Sequence, residues 1–283
     1  MGFIDIFTSF LSPAIVFDMK NPKTILITGG SSGIGQALAE HYAQNGVFLA
    51  LSGRNGERLA EIADICRNKG AEVTTRQIDV TDKDAMYEWI TELYKSRPLD
   101  LIIANAGISG GTGGVMNGEP LSQARAIFDT NITGVLNTID PALQMMHDTG
   151  NTGQIAIVSS LAGYRGWPTA PAYSASKGAV RFYGEALRGS LRNTGIEVNV
   201  ICPGFVKSRM TDANDFHMPM IMSAQKAAQI IAKGLEKNKG RISFPFLPHC
   251  IAWFVGILPD ALAQKILAKA PAKPALIDSG LHQ

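Results

Sequence analysis

Lys23-Thr-Ile-Leu-Ile-Thr28 runs directly into Gly29-Gly30-Ser31-Ser32-Gly33-Ile34-Gly35. The first six residues form a short apolar run that ends in a glycine cluster, the pattern of a buried parallel strand. Beyond the cluster, Ile34, Leu38, His41 and Tyr42 recur at three- and four-residue spacing and predict a helix over residues 34–44. Glycines between a strand and a helix allow a tight turn and a close backbone approach to a pyrophosphate. The helix amino terminus then offers free N–H groups and the positive end of its dipole. The spacing is T-G-x-x-x-G-x-G rather than G-x-G-x-x-G.

The same alternation continues outward. Further strands are predicted at Val47–Ser52, Val73–Val80, Leu99–Ala104, Gln154–Ser159, Glu197–Cys202 and Arg241–Phe244. Helices are expected at Arg58–Lys69, Asp84–Lys95, Leu121–His147, Tyr173–Arg192 and Gln225–Glu236, the long one from Leu121 tolerating Gly134 and Pro141. Strands that alternate with helices pair in parallel, because a parallel partner needs a crossover. The expected fold class is α/β, a doubly wound parallel sheet of the Rossmann type. One domain is expected over residues 23–243, with an apolar appendage at 1–22 and an apolar extension at 244–283.

Composition narrows the function classes. The chain has 283 residues, 46% hydrophobic and 18% charged, which excludes a disordered polypeptide. A net charge of +2 from 26 basic and 24 acidic residues gives no nucleic-acid footprint. Cys66, Cys202 and Cys250 fit neither a disulfide framework nor a zinc site, and the five histidines show no metal spacing, so no metal is expected. The amino-terminal run has no preceding basic residue and is broken by Asp5, unlike a secretory signal, and Ile6 stands where a myristoylation signal needs Ser or Thr. The uncharged run from Phe244 to Pro259 is too short to span a bilayer. These features predict a cytoplasmic, non-spanning protein.

The glycine spacing resembles that of the short-chain dehydrogenase/reductase family, and further stretches follow in family order. These are Asp79-Val80, Asn105-Ala106-Gly107, Asn131, Ser160, Tyr173 with Lys177, and Pro203-Gly204. The resemblance implies a nicotinamide dinucleotide held by Gly29, Ser31, Ser32, Gly33, Ile34 and Gly35. Asp79 and Val80 would meet the adenine, and Asn105, Ala106 and Gly107 would form the turn after the fourth strand. Pro203, Gly204, Val206 and Ser208 would lie along the nicotinamide side. It also implies hydride transfer between nicotinamide C4 and a carbonyl or secondary alcohol, and a homo-oligomer, dimer or tetramer.

Tyr173 and Lys177 are four apart, so they share one helix face. A phenol has a reference pKa of about 10, and a nearby ammonium favours its ionised form. Bringing it to about 7 needs about 4 kcal/mol, which Lys177 and an oxidised nicotinamide are expected to supply together. Tyr173 would then act as the general acid and base. Lys177 would also hold the nicotinamide ribose, and Asn131 would extend a proton path from it. Ser159 and Ser160 compete to hold the substrate oxygen; the family serine stands thirteen positions before the tyrosine, which selects Ser160.

NAD-preferring sites carry a carboxylate at the end of the second strand. The corresponding position, eighteen past Gly35, is Gly53, and Arg54 follows. A guanidinium grips a phosphate bidentately, so NADP(H) is expected over NAD(H). The alternative function is a non-catalytic NADP(H)-sensing protein on the same fold. Substrate is expected among Ser109–Glu119, Leu161–Thr169 and Phe205–Ile221. Their Met116, Tyr164, Trp167, Phe205, Met210, Phe216, Met218 and Met220 favour a small-molecule carbonyl or alcohol of apolar character. Residues 244–270 are expected to fold on the core and cover the substrate entrance, with Asp260 capping a helix whose Leu262, Ile266 and Leu267 share a face. Lys265, Lys269 and Lys273 beside that apolar run, with the amino-terminal stripe Phe3, Ile4, Phe7, Phe10 and Leu11, give a peripheral membrane footprint as the less favoured reading.

Overall fold

A computed structural model describes residues 21–113, 118–269, 271 and 273–276. The expected amino-terminal stripe and Met116 lie outside them. Seven parallel strands form one sheet: β1 Thr24–Thr28, β2 Phe48–Gly53, β3 Glu72–Gln77, β4 Leu101–Ala104, β5 Gly153–Val158, β6 Ile196–Pro203 and β7 Arg241–Phe244. Their spatial order is β3-β2-β1-β4-β5-β6-β7. The order reverses at β1, which pairs with β2 on one side and with β4 on the other. That reversal leaves a crevice beyond the carboxyl ends of β1 and β4, where ligands bind in open α/β sheets.

The inner strands are mostly apolar because both their faces are covered, whereas the edge strand β3 is largely polar and partly exposed. Ile25, Ile27, Leu49, Leu51 and Ile103 point into one core. Leu26, Ala50, Ile102 and Ala104 point into the other. The first core is closed by α1 Gly33–Tyr42, α2 Gly56–Asn68 and α7 Ala224–Glu236. The second is closed by α3 Lys83–Ser96, α5 Gly134–Thr149 and α6 Pro171–Ser190, while α4 Leu121–Phe128 packs beside α6 over a separate small cluster of Ile108, Ile127 and Ala172. Asn55 and Asp82 cap α2 and α3 through side-chain oxygens.

Three local expectations are corrected. The predicted helix over residues 121–147 contains a π-helical turn at Asp129–Thr133, between α4 and α5. The turn inserts a residue into the helical register, and it carries Asn131. β3 ends at Gln77, so Asp79 and Val80 lie in the loop that follows it. At the carboxyl end, α8 Phe246–Ile257 and α9 Asp260–Leu267 follow β7. Pro259 occupies the cap position of α9. Asp260 is its first residue, and its carboxylate pairs with Arg165 at 2.8 Å. Leu262 and Ile266 are exposed, whereas Ala263 and Leu267 are buried against Val255. Adjacent positions differ by about 100° on a helix, so Ile266 and Leu267 cannot both face the core here.

α8 rests on the one-turn 3₁₀ helix Leu161–Tyr164 through the Tyr164 and His249 rings, 5.6 Å apart. Its opposite face stays open: Phe246 is 80% exposed, and Leu247, Ile251, Trp253, Phe254 and Ile257 are all more than half exposed. Among the described residues, no helix is long and apolar enough to cross a membrane.

Candidate active site

The glycine loop is shaped by contacts that leave no space for side chains. Gly29 has φ +66° and Gly33 φ +57°, conformations that L side chains rarely adopt. A methyl group at Gly35 would lie 2.6 Å from Asn105 Nδ2 and well inside contact distance of the Gly29 carbonyl oxygen. Asn105 Nδ2 donates to the carbonyls of Thr28 at 2.9 Å and Gly29 at 3.2 Å. Its own N–H donates to Thr28 Oγ1 at 3.1 Å. Asn105 therefore clamps the β1 turn to the β4 turn, and Ala106 N–H shares the same hydroxyl at 3.2 Å.

Ser32 is the cap residue of α1, yet its side chain makes no capping hydrogen bond. The first-turn N–H groups at Ile34 and Gly35 thus keep the donor character that an anion uses. A methyl at Gly33 would lie 3.0 Å from Ser208 Cβ, so the loop after β6 closes over the turn. Ser31 stands against Gly53, 3.2 Å from where a Cβ would project. These features fit a dinucleotide pyrophosphate.

At the far end of the crevice, Asp79 Oδ1 accepts from Thr81 N–H at 3.0 Å and from its hydroxyl at 2.8 Å. Val80 is buried; its carbonyl accepts from Asn137 Nδ2 at 2.9 Å and its side chain abuts Gly134. Arg54 is exposed just beyond β2, and its carbonyl accepts from Gln77. Arg58 is held below the usual guanidinium range by burial first, then by the nearby cations Arg209 and Arg54. Its Nε is buried without a hydrogen-bond partner. Arg58 is absent from the residues expected on sequence grounds, although it follows Arg54 by about one helical turn.

The catalytic candidates converge at the carboxyl ends of β4, β5 and β6. Ser160 caps the 3₁₀ turn, its Oγ accepting from Ala162 N–H at 3.1 Å and donating toward the Pro203 carbonyl at 3.4 Å. Ser159 Oγ instead points inward and donates to the Lys177 carbonyl at 2.7 Å. Tyr173 lies on the first turn of α6, whose first residue is Pro171. Its hydroxyl faces Ser160 and Ser109. Lys177 is only 4% exposed, and its ammonium donates to the Val158 carbonyl at 3.0 Å.

Asn131 is fully buried. Its Oδ1 accepts from Ile108 N–H at 2.8 Å, and its Nδ2 donates to the Ile108 carbonyl at 2.9 Å and to Ser176 Oγ at 3.0 Å. Its amide thus ties the β4 loop to α6. A methyl at Gly107 would fall 3.0 Å from Asn131 Oδ1 and 3.2 Å from Lys177 Nζ. That glycine is where the two side chains approach the cofactor turn.

The depression of the Tyr173 pKa expected on sequence grounds draws on Lys177 and an oxidised nicotinamide together. Burial pushes the phenol above its usual value, and the facing hydroxyls of Ser160 and Ser109 only partly offset it. The Lys177 ammonium lies 6.0 Å from the ring centroid. Burial lowers Lys177 itself to about 8. The dry pocket disfavours both charged forms.

Some expected lining residues turn elsewhere. The Tyr164 hydroxyl bonds with Ser243 at 3.0 Å, and Trp167 packs with Val255, Ala263 and Leu267. Both serve to seat α8 and α9. Phe205 and Phe216 remain together in the loop after β6, their rings 6.0 Å apart. Val206 anchors that loop by bridging to Met222. Gly204 N–H donates to the Phe244 carbonyl at 2.7 Å, which holds the turn after Pro203.

The chain segment that reaches the catalytic residues lies beyond the predicted 244–270 cover. Lys273 donates to Ser109 Oγ, and its ammonium sits 4.5 Å from the Tyr173 ring centroid. Burial lowers Lys273 to about 8, with Glu119 partly opposing. The sequence pattern groups Lys273 with the basic edge of an apolar helix; α9 ends before it, and the segment carries no periodicity to betray its direction.

Comparison with known proteins agrees with this geometry. Residues 23–218 match the short chain dehydrogenase family. An uncharacterized oxidoreductase of Myxococcus xanthus (strain DK1622) is 38% identical over 243 residues, covering 85% of this chain and 94% of that one. A short chain dehydrogenase/reductase from Burkholderia phymatum, solved with NAD, superposes with a TM-score of 0.75 at 24% identity, covering 92% of this chain and 99% of that one. A short-chain dehydrogenase from Sphingobium yanoikuyae, solved with NADPH, gives 0.72 at 24% identity, covering 88% and 96%. The chain belongs to the short-chain dehydrogenase/reductase family and is an NAD(P)-dependent oxidoreductase acting on a small molecule.

Proposed function

We propose that the enzyme is an NADP(H)-dependent carbonyl reductase or alcohol dehydrogenase for a substrate of apolar character. The observation that carries this reading is Tyr173, its hydroxyl facing Ser160 and its ring one helical turn from Lys177. The nicotinamide supplies or accepts the hydride when bound. Ser160 holds and polarises the substrate oxygen, and Tyr173 gives that oxygen its proton in reduction or takes it in oxidation. Burial keeps the phenol protonated, which suits the donor role. Lys177 holds the ribose hydroxyls, and Asn131 fixes the loop against which Lys177 rests and serves the proton path.

Preference for NADP(H) is supported by Gly53 at the end of β2 and by the guanidinium groups of Arg54 and Arg58 beyond it. A 2′-phosphate offers these cations charge-assisted bidentate bonds. The apolar character follows from Phe205, Phe216, Met210, Met218 and Met220 in the loop after β6. The protein is further read as a cytoplasmic homo-oligomer, dimer or tetramer, the open face of α8 being the surface available to a neighbour.

The test is loss of NADPH absorbance with a panel of ketones and aldehydes, repeated with NADH. Turnover that favours NADPH supports the reading. NADPH binding with no turnover of any carbonyl would favour the sensor alternative.

A further inference from the structure

Beyond α9 the chain returns across the active site as a short strap. Gly111 N–H donates to the Pro274 carbonyl at 2.8 Å, and Gly113 N–H donates to the Lys273 carbonyl at 2.9 Å. Leu276 N–H donates to Gln123 Oε1, and the Leu276 side chain is buried among Ile108, Ile127 and Ala172. Gln123 also donates through Nε2 to the Gly111 carbonyl at 3.0 Å, joining strap, loop and α4. A methyl at Gly111 would collide with Lys273 and would lie 2.6 Å from the Thr169 carbonyl oxygen. The strap is thus fixed at Lys273 and over the three residues that follow it, which limits where the Lys273 side chain goes.

That side chain and Lys177 both reach Tyr173. The two ammonium groups lie 4.5 Å and 6.0 Å from the same Tyr173 ring centroid. Among the described residues, Lys273 has Ser109 as its hydrogen-bond partner and no carboxylate within ion-pair distance. Glu119 is the nearest acidic influence, but its oxygens accept from Ala172 N–H at 2.7 Å and from Gln123 Nε2 at 2.6 Å. A largely buried cation without a carboxylate partner calls for an anion that arrives with the ligand.

We propose that Lys273 is a substrate-specificity residue that makes this site select carbonyl compounds bearing an anionic group, a carboxylate or its equivalent, alongside an apolar chain. This rests on the carbonyl-reductase reading for its reaction and adds the substrate class. A hydrogen bond between charged groups is worth about 10- to 100-fold in selectivity.

Two measurements test it. The first is equilibrium binding of octanoate and octanamide to the NADPH-loaded enzyme, to Lys273→Met and to Lys273→Arg. The expected result is octanoate bound at least about tenfold more tightly than octanamide by the native protein. That preference should vanish in Lys273→Met and largely persist in Lys273→Arg. The second is kcat/KM for oxo-carboxylates of graded chain length against their methyl esters, where the acid-to-ester ratio should fall about tenfold or more in Lys273→Met. Equal binding of acid and amide by the native chain would overturn the proposal. So would a Lys273→Met variant with an unchanged ratio, or one that turns over acids and esters alike faster than native, which would make the strap an obstruction. Lys273-dependent octanoate binding without turnover of any carbonyl would leave this inference standing while removing the reductase reading; turnover without acid preference would do the reverse.

Discussion

Gly35→Ala should abolish useful nucleotide binding while leaving the sheet folded. The added methyl would press on the Gly29 carbonyl oxygen and on Asn105 Nδ2, 2.6 Å away. Neither is the free end of a flexible side chain. One is backbone, and the other is held by hydrogen bonds of 2.9 and 3.2 Å to the same turn. Displacing Asn105 forfeits about 2 kcal/mol from those two bonds, and overpacking against fixed backbone costs about 1–3 kcal/mol. The sum, about 3–5 kcal/mol, falls on the turn that cradles the phosphates. Since about 2.7 kcal/mol corresponds to 10² in affinity, NADPH binding should weaken by at least about 10²-fold even after partial relaxation. Gly30→Ala is the reference: its nearest neighbour would be the Leu51 Cβ at 3.3 Å, a side-chain contact, so its affinity should stay within about threefold of native. Fluorescence titration with NADPH, with thermal unfolding of each variant alongside, reads both effects. If Gly35→Ala binds NADPH within about threefold of native, the turn yields to a methyl group and the steric reasoning fails.

Tyr173→Phe keeps the ring and removes the hydroxyl, so turnover should fall at least about 10²-fold with NADPH affinity nearly unchanged; near-native turnover would refute the acid–base role. Arg54→Ala and Arg58→Ala should each reduce the NADPH-to-NADH ratio of kcat/KM, and the double variant should reduce it further; a ratio unmoved in all three removes both residues from 2′-phosphate recognition. Lys177 is lowered from 10.5 to about 8 in the folded state, so between those values the unfolded chain binds more protons. Its contribution therefore makes stability rise with pH across about 8 to 10.5. Denaturant unfolding at several pH values should show a smaller rise in Lys177→Met than in the native protein, and equal slopes would contradict the burial argument. Light scattering on the eluting protein, with and without anionic vesicles, should give a dimer or tetramer that stays off the vesicles; flotation with them would assign the open α8 face to a membrane.

The sheet is legible in the sequence because most strands are short apolar runs followed by helical periodicity, and the two periods separate over such lengths. Ile25 to Ile27 need no alternation, since both faces are buried. The glycine turn is legible for a different reason: at Gly35 backbone meets backbone, and only the absence of a side chain permits it. The π-helical turn at Asp129–Thr133 is not legible, because a one-residue insertion shifts the apolar face only slightly and the flanking helices absorb it. The face of α9 is misread because Ile266 and Leu267 are equally apolar, and only the position of Val255 decides which turns inward.

The active site shows the same division between periodic and irregular chain. Ser160, Tyr173 and Lys177 come from two segments that the parallel topology must bring together, since β5 and β6 end side by side and α6 connects them. Once the strand order is known, their meeting at the carboxyl edge follows. Lys273 obeys no such rule. It is placed by Gly111, Gly113 and Gln123, residues of the β4 loop and α4 whose donors and acceptors reach across roughly half the chain to a segment without regular structure. No period or spacing encodes such a crossing; it is specified by a missing Cβ at Gly111 and by the burial of Leu276. Chemistry carried by the sheet is therefore open to any chain with this topology. The strap is where this chain has the freedom to choose its own substrate.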